Sequence, residues 1–146
     1  MKKNEKALLE SARNGDFEGV KSALKNRADI NAKEKYGDTA LNLCAENGHL
    51  DIVKYLAESG ADIENLGGAD KTPIMNAAFA GHADIVIYLI SKGARISNDL
   101  LSSVQMKVNI LAENAEAGMI KPEGVDAWKE FLNYLFAERQ KQDSRS

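Results

Sequence analysis

Two short apolar patterns stand back to back over residues 36–63. Ala40, Leu41, Leu43, Cys44 and Ala45 form the first, and Ile52, Val53, Leu56 and Ala57 the second. Gly48 separates them and Gly60 closes the second, so the stretch predicts two helices joined by a tight turn. Neither helix has enough apolar surface to bury its face alone.

The stretch recurs along the chain. Gly48 and His49 return as Gly81 and His82, Ile52 and Val53 as Ile85 and Val86, and Gly60 and Ala61 as Gly93 and Ala94, an interval of 33 residues. One interval upstream the pattern is fainter, with Gly15, Val20, Ala28, Asp29 and Ile30. A period of this size predicts supersecondary units stacked side by side, each burying its face against the next. In the first unit residues 6–14 predict an inner helix with Ala7, Leu8 and Ala12 inward. Asp16 is placed to cap a second helix over residues 17–25, with Val20, Ala23 and Leu24 buried. Gly19 stands where the other units have isoleucine, and Arg27 where they have Gly60 and Gly93. A residue with a Cβ in a left-handed backbone costs about 1 kcal/mol. The first unit is therefore expected to close differently, and its departures read as those of an N-terminal cap.

After Asn98 the period is lost. Residues 99–117 predict a longer helix, with Leu101, Val104, Val108, Leu111 and Ala115 inward and Ser97, Asn98 or Asp99 as its cap. Pro122 opens another helix to about Arg139. It carries Val125, Trp128, Leu132 and Leu135 on one side, with Phe131 and Phe136 beside them. This pair predicts a cover over the end of the third unit. An apolar face bearing Trp128, Phe131 and Phe136 is also a candidate secondary surface for a partner or a second copy of the chain. Residues 140–146 read as a polar, flexible tail.

Composition narrows the function. The chain has 146 residues, 44% hydrophobic and 28% charged, which is ordinary for one folded domain. Only 6% is aromatic, which suits thin helices packed through Leu, Ile, Val and Ala. A net charge of -3 supplies no basic surface, so neither nucleic acid nor a membrane is expected as partner. Lys2, Lys3 and Asn4 lead into charge rather than an apolar run, and no stretch has transmembrane length. The expected location is cytoplasmic. Cys44, the single cysteine, lies on the apolar face of its helix and reads as a buried thiol. His49 and His82 each follow a turn glycine and read as repeated turn-stabilising hydrogen bonds. No third ligand at a metal spacing, no nucleophile with a base and no cofactor fingerprint accompany them. Gly67 and Gly68 lack the spacing of a phosphate loop. The expectation is therefore no catalysis, no metal and no cofactor.

The motifs that carry the period resemble those of the ankyrin-repeat family. They are Gly37-Asp38-Thr39-Ala40-Leu41, Gly48-His49, Ile52 to Leu56 and Gly60-Ala61-Asp62-Ile63, then Asp70-Lys71-Thr72-Pro73-Ile74, Gly81-His82 and Gly93-Ala94-Arg95-Ile96. The resemblance implies an all-α solenoid of stacked helix-turn-helix units with β-turn fingers and a divergent C-terminal helical cap. It divides a single domain, 1–146, into a capping repeat at 4–35, repeats at 36–68 and 69–98, a helix pair at 99–139 and the tail at 140–146. It implies a protein-protein interaction module that acts as adaptor or inhibitor, binding another protein on a concave surface of fingers and inner helices. The matching positions are Lys35, Tyr36 and Asp38 on the first finger, Gly68, Ala69 and Lys71 on the second, and Arg13, Asn14, Glu46, Asn47, Phe79 and Ala80 on the inner helices. Tyr36 and Phe79 are expected as apolar anchors, with Lys35, Asp38, Glu46 and Lys71 setting specificity around them. The resemblance also makes Asn31 a candidate for side-chain hydroxylation. A monomer is expected, with dimerisation through the C-terminal helices as the alternative. The competing function is a small apolar ligand held between the third repeat and the C-terminal helices.

Overall fold

The computed structural model describes all 146 residues. The chain is all-α, and its helices form two compact units, Met1–Ala94 and Arg95–Ser146. In the first unit, helices α1 (Lys3–Asn14), α3 (Ala40–Glu46) and α5 (Pro73–Ala80) make an inner layer in which α1 packs on α3 and α3 on α5. Helices α2 (Phe17–Lys25), α4 (Leu50–Glu58) and α6 (Ala83–Ser91) make the outer layer, each paired with the inner helix before it. Leu8, Leu41, Ile52, Leu56, Ile74, Ile85 and Leu89 are fully buried between the layers. These helices of seven to twelve residues are too short to persist alone, so packing holds them.

Helix α1 begins three residues before the apolar pattern does, because the Glu5 carboxylate reaches back to accept the Lys2 backbone N–H at 3.3 Å. It buries Leu8, Leu9 and Ala12, and the expectation of an inward Ala7 is corrected: Ala7 is exposed and Leu9 takes the inward position. Asp16 caps α2 by accepting the Gly19 N–H at 2.9 Å. A Cβ on Gly19 would come within 2.3 Å of Asp16 Oδ2 and 2.4 Å of Ser11 Oγ, which explains why isoleucine is absent there. Val20 and Ala23 are buried as expected, while Leu24 is half-buried.

The first unit closes in the same way as its neighbours, which corrects the expectation drawn from Arg27. Arg27 takes φ 64, against φ 93 at Gly60 and φ 91 at Gly93. Its N–H bonds Leu24 O and the Ala28 N–H bonds Ala23 O, the pattern repeated at Gly60-Ala61 and Gly93-Ala94. The burial of Ala28, which follows, outweighs the local strain.

The second unit pairs α7 (Asn98–Glu116) with α8 (Pro122–Ser144). Ser97 caps α7 by accepting the Leu100 N–H at 3.1 Å. Leu101, Val104 and Val108 of α7 and Val125, Leu132 and Leu135 of α8 are buried. The expected tail from residue 140 is instead helical to Ser144. Arg139 pairs with Asp143 at 3.0 Å, its guanidinium also donates to Ile96 O, and the Ile96 N–H donates to Gln142 Oε1 at 3.1 Å. These bonds also carry the unit boundary back to Ala94, ahead of the point where the period fails. No helix is long and apolar enough to cross a membrane.

Candidate binding surface on the fingers and inner helices

Between an outer helix and the next inner helix the chain turns back on itself as a finger. In the first, Glu34 N–H donates to Asp38 O and Gly37 N–H to Glu34 O, both at 2.9 Å. Gly37 supplies the left-handed residue at φ 92. In the second, Gly67 N–H donates to Lys71 O at 3.0 Å and Asp70 N–H to Gly67 O at 3.1 Å. Here Ala69 and Asp70 take φ 55 and 54, conformations that cost about 1 kcal/mol or more for residues with a Cβ.

A buried polar cluster fixes the fingers to the inner helices, and sequence reasoning missed it. Asn42 Oδ1 accepts from the Thr39 backbone N–H, the Thr39 hydroxyl and Asn65 Nδ2 at 3.1, 2.9 and 2.8 Å. Its Nδ2 donates to Asn65 O, Lys71 O and Asn76 Oδ1 at 3.3, 3.2 and 3.0 Å. Asn65 Nδ2 also donates to Gly37 O at 3.0 Å. Thr39, Asn42, Asn65 and Asn76 are all buried, so the two fingers and two inner helices meet at one satisfied network. The available signal was asparagine on the apolar faces of α3 and α5.

The histidines act as expected and extend across repeats. His49 Nε2 bonds Arg13 O and His82 Nε2 bonds Glu46 O, each at 3.0 Å and each one repeat back. Gly15 and Gly48 lie under these rings: a Cβ would come within 2.7 Å of His49 Cε1 and His82 Cε1 respectively. Cys44 is fully buried, and burial pushes its thiol well above the ordinary range, which leaves no thiolate for chemistry.

On this scaffold Tyr36 is 68% exposed at the tip of the first finger, with Lys35 Nζ 5.4 Å from its ring centre. Phe79 is half-buried on α5, and Lys71 Nζ lies 5.2 Å from its ring centre. Asp38 is half-buried and turned inward, its Oδ1 accepting the Gly68 N–H at 2.9 Å. A Cβ on Gly67 would lie 2.0 Å from that oxygen, and one on Gly68 3.8 Å from Tyr36 Cβ, so the two glycines let the fingers touch. Glu46 is exposed on α3. Lys35 and Tyr36 thus pair on the first finger and Lys71 of the second finger pairs with Phe79 of α5, while Asp38 joins the two fingers as a strut. Leu66, 59% exposed where the first finger has Lys33, is an apolar finger residue that sequence reasoning passed over. Asn31 Oδ1 accepts the Asp62 N–H at 2.9 Å, tying the base of the first finger to the end of the next repeat.

In the second unit Trp128 and Phe131 meet edge to face at 5.8 Å, with Lys107 Nζ 4.3 Å from the Trp128 ring centre. Phe136 lies with Leu101, Ser102, Gln105 and Met106 along an open groove of about 650 Å³.

A model of the family described as ankyrin repeats (3 copies) matches residues 8–99, more than half of the chain. Comparison with curated proteins finds no match.

Proposed function

The chain belongs to the ankyrin-repeat family, whose repeats are generally protein-interaction modules, and from that premise we propose that it binds a partner protein through its fingers and inner helices. The observation that carries the reading is Tyr36: a large aromatic side chain 68% exposed on a finger whose backbone is pinned by Asp38 and the Asn42 network. An exposed aromatic held on a rigid platform loses little entropy on binding and is the residue type that dominates interface energetics. Lys35, Glu46, Lys71, Leu66 and Phe79 make up the rest of the proposed surface. The chain acts as an adaptor or inhibitor, and binding rather than bond-making is its activity.

Affinity capture from the source cell's lysate tests this when run beside a variant carrying Tyr36→Ala, Glu46→Lys and Lys71→Glu. A partner retained by the natural chain and lost by the variant supports the reading. A partner retained equally by both overturns it.

A further inference from the structure

The two aromatic side chains of the surface are each overlaid by a lysine: Lys35 on Tyr36 and Lys71 on Phe79, at 5.4 and 5.2 Å from the ring centres. Two carboxylates of the first finger are engaged elsewhere. Glu34 holds Arg13 at 2.6 Å, and Asp38 accepts the Gly68 N–H. Neither Lys35 nor Lys71 forms an ion pair, so both carry uncompensated charge beside apolar surface. A basic partner would bring like charge onto these ammonium groups, and a purely apolar one would have to displace them from the rings. An acidic side chain next to an apolar one satisfies both parts at once.

We infer that the surface selects a partner segment of acidic and apolar residues, in which two carboxylates pair with Lys35 and Lys71 while neighbouring apolar side chains pack on Tyr36 and Phe79. This rests on the reading that the fingers and inner helices are the partner site. Glu46 and Asp70, the exposed carboxylates of the same surface, repel acidic groups placed elsewhere and so confine the complementary charge to the two lysines.

The test is selection of random displayed peptides on the full chain, followed by titration of the enriched peptides against Lys35→Glu, Lys71→Glu and Tyr36→Ala. The expected result is enrichment of peptides carrying Asp or Glu beside Leu, Phe or Trp. Each lysine reversal should weaken binding about tenfold, and affinity should fall as salt rises. Enriched peptides that are basic or uncharged, or no enrichment at all, would overturn the inference. Peptides weakened by Tyr36→Ala but indifferent to both lysine reversals would overturn it while leaving the binding surface standing. Peptides indifferent to all three variants would remove the surface as well.

Discussion

Arg27 keeps a left-handed backbone at φ 64 for the sake of the buried Ala28 that follows it, and the strain is removable. The same site in the later repeats is glycine with open space around it, so Arg27→Gly should raise stability by about 1 kcal/mol. Urea unfolding checks this as a higher midpoint with unchanged slope. Asn42 is the opposite case. Asn42→Ala leaves Asn65, Asn76 and Lys71 O without their shared partner and should cost about 3 kcal/mol, whereas Asn47→Ala on the exposed end of α3 should cost under about 1 kcal/mol. Cys44 adds a pH signature. Its thiol stays protonated in the folded chain but ionises once unfolded, so the folded state holds the extra proton above about pH 8.5. Stability is full below that pH and falls as pH rises, by up to about 1.4 kcal/mol per unit. Cys44→Ala should abolish this part of the slope between pH 8.5 and 10, read as the difference between the two proteins' unfolding free energies.

At the scale of elements, the glycines that end the first two inner helices carry two separate constraints. Gly48 has φ 79 and lies under the His82 ring, whereas Gly60 has φ 93 and meets nothing within 4 Å. Both alanine substitutions strain the backbone, but Gly48→Ala should cost more, because it also pushes His82 off Glu46 O. Part of that excess should return when His82→Ala is added, a coupling that a double-mutant cycle measures by denaturation. The glycine and histidine spacing makes these turns legible in the sequence, since their repetition has a direct structural meaning. The C-terminal end of α8 was not legible from periodicity. Residues 140–144 have no apolar stripe and are held by Arg139 and Gln142, whose partner Ile96 lies more than forty residues away in sequence, with Asp143 pairing to Arg139 within the helix. Removing residues 140–146 should therefore destabilise the second unit, seen as faster hydrogen exchange at Ile96 and along α7.

For the whole molecule, the 33-residue period specified the layered first unit because the second and third repeats bury the same apolar positions, from Leu41 and Ile52 to Ile74 and Ile85. The surface on that scaffold was legible only in part. Tyr36 and Lys35 stand out by position alone, but the inward turn of Asp38 depends on Gly68 of another finger, which no local pattern encodes. The central claim is that the fingers and inner helices form the partner site, and the most direct measurement is the hydrogen-exchange footprint of a captured partner on the full chain. The account predicts protection centred on the first finger around Tyr36, the second finger from Leu66 to Lys71, and the end of α5 at Phe79. Protection confined to α7 and α8 around Trp128, Phe131 and Phe136, with both fingers exchanging as in the free protein, would contradict it.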